Sequence, residues 1–114
     1  MKMIVAIIRP EKIGVVQAAL VARDVYLMTV SHVRGCGRQR GFTNHFRGTK
    51  GLIRLLDKLK LEIAVNDDFV ADTVEAIMEA AHRREIGDGK IFVLPLEECY
   101  RIRTGESGEG AIGP

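Results

Sequence analysis

The chain has 114 residues, 46% of them apolar and 28% charged, the composition of one ordinary globular domain (residues 1–114) with no room for a second core. Seventeen basic residues against fifteen acidic ones leave a net charge of +2, too even a balance for a domain built to neutralise nucleic-acid phosphates. The apolar run at residues 3–8 is too short for a signal peptide or a membrane span, so a soluble protein is expected, touching a membrane only through a partner.

Residues 3–8 are rich in β-formers and predict a central strand buried on both faces. Pro10 breaks that strand and suits the first turn of a helix over 11–23, where Ile13, Val16 and Leu20 form an apolar stripe that Gly14 weakens. Residues 26–33 predict a second strand. A long polar loop follows, opening on the glycine cluster 35–41 and closing near Lys58; loops of that length in small domains are usually functional. The clearest strand is 58–65, where Leu59, Leu61, Ile63 and Val65 alternate with Lys58, Lys60, Glu62 and Ala64. Asn66, Asp67 and Asp68 are candidate N-caps for a helix to about residue 83, marked by Val70, Val74, Ile77 and Ala81. A Gly-Asp-Gly turn leads into a last buried strand at 90–94, closed by Pro95. Residues 97–103 read as a short edge strand, and 104–114, with four glycines, as a loose, flexible tail.

Strand, helix, strand, strand, helix, strand is the ferredoxin-like order: an α+β fold with an antiparallel sheet and both helices on one face. The other face, partly apolar, needs a cover, and that predicts oligomerisation.

Three features are suited to anion chemistry. The cluster 35–41 offers free backbone N–H groups with Arg38, Gln39 and Arg40, and Gly87, Asp88, Gly89 and Lys90 offer a second donor nest beside a lysine. Arg101 and Arg103 alternate on a segment read as extended, so that both forked guanidinium groups point one way. Each also has an ordinary reading, as a turn or a solvated strand face, though three glycines in seven residues are harder to dismiss. Gly-Asp-Gly-Lys is not a Walker A loop, because it precedes a strand rather than a helix. Cys36 and Cys99 form neither a disulfide framework nor a metal pair, which favours a reduced, cytoplasmic setting. His32, His45 and His82 are scattered, and none is assigned to a metal.

In order, Arg9-Pro10-Glu11-Lys12, Gly-x-Gly-Arg-Gln-x-Gly at 35–41, Phe46-Arg47-Gly48, Lys58 opening its strand, Gly87-Asp88-Gly89-Lys90-Ile91-Phe92-Val93 and Arg101-Ile102-Arg103-Thr104-Gly105 resemble the PII signal-transduction proteins of nitrogen regulation, over nearly the whole chain. The resemblance implies a homotrimer with ATP or ADP bound competitively in the clefts between subunits. It places Gly87, Asp88, Gly89, Lys90 and Arg38 around the phosphates, with Arg101 and Arg103 reaching in from the adjacent subunit. Thr29, Gly35, Gly37 and Ala64 would lie around the adenosine. Gln39 would hold a Mg2+ shared by ATP and 2-oxoglutarate, and Lys58, with Gly41 and Gly87, would complete the 2-oxoglutarate site. Residues 37–55 would be the T-loop, the arm that engages targets through Phe46, Arg47 and Thr49. In relatives that regulate ammonium transporters, an arginine matching Arg47 plugs the pore; a nitrogen-assimilation or nitrogenase-linked enzyme is the alternative target.

The chain also departs from the family pattern. Gly51 stands where uridylylated relatives carry tyrosine, so that switch is expected to be absent. Thr49 stands where some relatives carry a phosphorylated serine. Arg83 and Arg84 replace a common Thr-Gly before the phosphate loop, Phe46 a frequent tyrosine and Asp57 a frequent proline. An RNA-binding domain of the same element order needs aromatic residues on its central strands, and 58–65 has none. A nucleotide-hydrolysing enzyme needs a general base or paired metal carboxylates, and beyond Asp88 no candidate stands out. The expected function is a non-enzymatic sensor.

Overall fold

The computed structural model describes residues 1–36 and 55–113. Four antiparallel strands, β1 (Lys2–Ile8), β2 (Thr29–Gly35), β3 (Leu56–Val65) and β4 (Lys90–Pro95), form one sheet in the order β2-β3-β1-β4. Two helices, α1 (Ile13–Val21) and α2 (Val70–Ala81), cover one face of it. This is the expected ferredoxin-like α+β arrangement.

Register decides which face is dry. Ile4 opposes Ile63 and Val93, and Ala6 opposes Leu61 and Ile91, so these side chains share the helix-covered face. Ile4, Ala6, Ile8, Leu61 and Ile63 are completely or almost completely buried there, against Val16 and Leu20 of α1 and Ala76 and Ile77 of α2. Thr73 is buried among them, and its hydroxyl donates to the Phe69 carbonyl at 2.7 Å, which removes the penalty of burying it.

The opposite face carries Met3, Val5, Ile7, Ala64, Phe92 and Leu94, paired in register as Met3–Ala64, Val5–Phe92 and Met3–Leu94. β1 is therefore central as predicted but not buried twice. Met3, Val5 and Ile7 are half-buried, and Phe92 and Leu94 are exposed.

Local differences from the sequence reading have local causes. Both helices begin with a 3-10 turn, Pro10–Lys12 and Asp67–Phe69, because the chain leaves a strand and tightens before the α-helix starts. Asn66 takes the N-cap position of the second 3-10 turn, but its side chain makes no capping bond there, and Asp67 lies inside the turn. The Asn66 amide donates to the carbonyls of Glu109 and Gly113, and Asp67 accepts from the N-terminal amine at 2.8 Å.

Those two Asn66 bonds also fix the end of the chain. Residues 104–113 are not a loose tail: Tyr100 bridges to Ser107, α3 (Glu109–Ile112) makes one helical turn, and Ile112 is buried. Nor is 97–103 an edge strand. Among the described residues its only strand-type pairing is that isolated bridge, and the chain turns at 102–104.

Candidate functional site

The antiparallel order brings four strand ends to one place. β2 ends where β3 begins, with Gly35 opposite Leu56 and Val33 opposite Lys58. β1 ends where β4 begins, with Ile7 opposite Lys90. Cys36 and Leu56, on either side of the residues outside the description, thus lie beside the loop 87–90. Between them lies a cavity of about 410 Å3, lined by Val33, Gly35, Cys36, Lys58, Gly87, Gly89 and Lys90 among others.

The loop before β4 is built around one carboxylate. Oδ2 of Asp88 accepts the backbone N–H groups of Arg83 (2.9 Å), Arg84 (2.9 Å) and Glu85 (3.4 Å). Oδ1 accepts Nε of Arg9 at 3.3 Å, and the same guanidinium donates to the Ile86 carbonyl at 3.0 Å. Burial acts to raise the Asp88 pKa. The Arg83 N–H, the Arg9 guanidinium and the N–H groups of Glu85 and Arg84 outweigh it and hold the carboxyl below its ordinary value.

Arg9 is the residue that sequence reading did not place in the site. It is buried at 8% exposure and pins the loop from behind. The available signal was a cation directly following a buried strand, which must find partners.

Gly87 (φ +104) and Gly89 (φ +106) adopt backbone conformations that L side chains rarely reach. At Gly89 the need is also steric, because a Cβ there would lie 1.7 Å from the Ile7 carbonyl oxygen. Lys58 reaches across the cavity and donates to the Gly87 carbonyl at 2.7 Å. Desolvation first, and then the Arg9 charge, hold its pKa below the usual lysine value, against Glu11 and Asp88, which pull it up. A partly desolvated ammonium among backbone donors is a ready partner for a carboxylate or phosphate oxygen.

Gly35, Lys58, Gly87, Gly89 and Lys90 therefore come together. Asp88 lies in the same loop, and its side chain holds that loop in shape. Thr29 and Ala64 do not join them. Each is six residues along its strand from Gly35 or Lys58, about 20 Å at ordinary strand rise.

Arg101 and Arg103 are also remote, and they lie on a turn rather than alternating on a strand. Arg101 pairs with Glu106 at 3.0 Å and donates to the Gly110 carbonyl, so the turn sits against the terminal segment that Asn66 holds, at the Thr29 and Ala64 end of β3. Gly37, Arg38, Gln39, Gly41, Phe46, Arg47 and Thr49 lie outside the described residues.

Among the described residues no group of three or more His, Cys, Asp or Glu side chains is placed to hold a metal ion, and no helix is long and apolar enough to cross a membrane.

Comparison with known proteins agrees with this architecture. Residues 1–106 match the family described as nitrogen regulatory protein P-II. The chain is 54% identical over 112 residues to nitrogen regulatory protein P-II 2 of Methanothermobacter thermautotrophicus, covering 98% of this chain and 97% of the relative. It is 50% identical to nitrogen regulatory protein P-II of Nostoc punctiforme and 47% identical to that of Cereibacter sphaeroides, covering 98% of this chain and 100% of each relative. The chain belongs to the nitrogen regulatory protein P-II family.

Proposed function

We propose that this protein is a cytoplasmic, non-enzymatic sensor that reads ATP, ADP and 2-oxoglutarate as a homotrimer and passes the result to a partner through the arm 37–55. The observation that carries this reading is the cavity at the base of the arm, where Lys58, Lys90 and the two positive-φ glycines of one loop face the point from which the arm departs. Whatever fills the cavity touches the first and last anchored residues of the arm, so its charge biases the arm's conformations.

The residues present fit the proposed effectors. Gly87, Gly89 and Lys90 suit a polyphosphate, and Lys58 suits a 2-oxoglutarate carboxylate that takes over from the Gly87 carbonyl. Mg2+ would rest on Gln39 and phosphate oxygens, and it would supply the charge that lets 2-oxoglutarate approach ATP.

The separation of Thr29, Ala64, Arg101 and Arg103 from this cavity supports a site shared between subunits. One chain carries the two half-sites at opposite ends of β3, and a head-to-tail contact joins one end to the other end of a neighbour. A heterologous contact related by a threefold rotation closes into a ring, and the half-apolar open sheet face supplies buried area for a trimer.

For the partner, residues 37–54 contain Arg38, Arg40, Arg47, Lys50 and Arg54 and no Asp or Glu. A basic arm bearing Phe46-Arg47 suits a narrow vestibule rimmed by carbonyl and acidic oxygens, and an ammonium transporter is the target we favour.

Calorimetry of the purified protein with ADP, ATP and Mg-ATP, each with and without 2-oxoglutarate, tests the sensor. Nucleotide binding, with 2-oxoglutarate binding dependent on Mg-ATP and lost in Gln39→Ala, is expected. Binding of 2-oxoglutarate that ignores nucleotide overturns the shared-metal site. A pull-down from membranes tests the partner: an ammonium transporter retained in ADP, released by Mg-ATP with 2-oxoglutarate and lost in Arg47→Ala is expected. Retention of a soluble nitrogen-metabolism enzyme alone, indifferent to Arg47, moves the target to that class.

A further inference from the structure

Asn66 stands where β3 ends and the second 3-10 turn begins, yet its side chain makes no capping bond to that turn. Its amide nitrogen reaches instead to the terminal segment, donating to the carbonyls of Glu109 (3.2 Å) and Gly113 (3.0 Å). Those carbonyls belong to the first residue of α3 and to the residue that closes it, so the two bonds grip the short helix at both ends.

The same helix carries the arginine turn. Nη2 of Arg101 donates to the Gly110 carbonyl at 3.1 Å, and Nη1 donates to Glu106 at 3.0 Å. The Arg101 N–H donates to the Glu106 carbonyl (2.8 Å), the Gly105 N–H to the Arg101 carbonyl (2.8 Å) and the Gly108 N–H to the Cys99 carbonyl (2.9 Å). Residues 99–113 thus form one braced unit: the turn that presents Arg101 and Arg103 is tied to α3, and α3 is tied to Asn66.

Ile112 is the apolar anchor of that unit, buried in the body of the protein. Apolar burial is non-directional, so Ile112 sets how deep α3 lies without fixing how it is turned. Hydrogen bonds are directional, and two of them to carbonyls at opposite ends of the helix fix its orientation.

We infer that Asn66 is a positioning residue for nucleotide: through α3 it sets where Arg101 and Arg103 stand to meet the phosphates in a neighbouring subunit's cavity. This rests on the shared site proposed above. A second observation separates the role from merely holding the fold together. The side-chain oxygen of Asn66 is buried and has no hydrogen-bond partner among the described residues. Burying a polar atom without a partner opposes folding, while the two bonds of the nitrogen favour it. Alanine at 66 removes both effects together, so the fold loses little and the placement of α3 is what goes.

The test compares wild type, Asn66→Ala, the double variant Arg101→Ala/Arg103→Ala and the triple variant that combines them. ATP binding is measured by calorimetry, and urea unfolding is followed at one protein concentration. Asn66→Ala should weaken ATP by about three- to tenfold, part of what losing a charged hydrogen bond costs, with an unfolding midpoint close to wild type. Hydrogen exchange at the amides of Arg101 and Gly105 should quicken in the same variant. In the background that already lacks both arginines, Asn66→Ala should weaken ATP no further, because nothing is left to position.

Three results overturn the inference while the sensor reading stands: ATP binding indifferent to Asn66→Ala, an equal loss with and without the arginines, or an Asn66→Ala chain that unfolds or is strongly destabilised, which makes the residue structural. Wild-type protein that binds ATP as tightly as Arg101→Ala/Arg103→Ala removes the shared site on which the inference rests. A wild-type chain that binds no nucleotide removes the sensor reading itself.

Discussion

Gly89→Ala is the substitution that the structure resists most specifically. A Cβ at Gly89 would lie 1.7 Å from the Ile7 carbonyl oxygen and 2.8 Å from its carbon, both backbone atoms that cannot rotate away. Ordinary C···O approach begins near about 3.3 Å, so loop and strand must separate by about 1.6 Å. That movement breaks the Ile7–Lys90 pairing at the mouth of the site. Backbone strain at φ +106 adds about 1–3 kcal/mol, and the lost ladder bond about 1 kcal/mol. We expect a loss of about 2–4 kcal/mol, with nucleotide binding weakened in whatever protein remains folded. Gly14→Ala is the control. It lies in α1 with nothing within 4 Å of its added Cβ, and it should stabilise by about 0.5–1 kcal/mol. Urea unfolding followed by circular dichroism, with all three proteins at one concentration because association adds to apparent stability, gives both values. Shifts of the same sign, or Gly89→Ala within about 1 kcal/mol of wild type, would refute the steric reasoning.

Other expectations follow from single contacts. Arg9→Met keeps an apolar stem but removes the donors to Asp88 and the Ile86 carbonyl; it should cost about 1.5–3 kcal/mol and speed hydrogen exchange at the amides of residues 83–85, and unchanged protection there contradicts the anchoring role. Because the Asp88 pKa is lowered in the fold, its contribution is present above the unfolded value of about 3.9 and is lost as pH falls through the lower folded value. Acid unfolding of Asp88→Asn should accordingly show a shallower limb than wild type, and identical limbs would remove Asp88 from the loop's acid response. An anion bound beside Lys58 raises that group's depressed pKa, so 2-oxoglutarate binding should take up protons at alkaline pH and weaken as pH rises; calorimetry in two buffers of different ionisation heat detects the uptake, and equal heats would place the anion elsewhere. Arg101→Ala removes a partly exposed ion pair, so stability should change by under about 1 kcal/mol while ATP binding weakens by about 1.5–3 kcal/mol; parallel losses in both would make Arg101 structural.

Element types were legible in the chain because they are written in local periodicity. The alternation through Leu59, Leu61, Ile63 and Val65 names both a strand and its buried face, and the register of β1 and β3 keeps that face intact. The glycines at 87 and 89 were legible for a related reason, since positive φ restricts the choice of residue. The tertiary structure decided what depends on atoms distant in sequence. It turned Asp88 inward onto Arg9, 79 residues away, and it brought Lys58 to the Gly87 carbonyl. It also separated residues that a motif list groups together, because Thr29 and Gly35 share one strand yet stand at its two ends. The alternating Arg101-Ile102-Arg103 reads as a strand, but Glu106, five residues on, bends it into a turn through one ion pair and one backbone bond. Sequence spacing carries the direction of side chains along an element; only cross-strand register and chain reversal determine which ends meet, and the candidate site is made where four of them do.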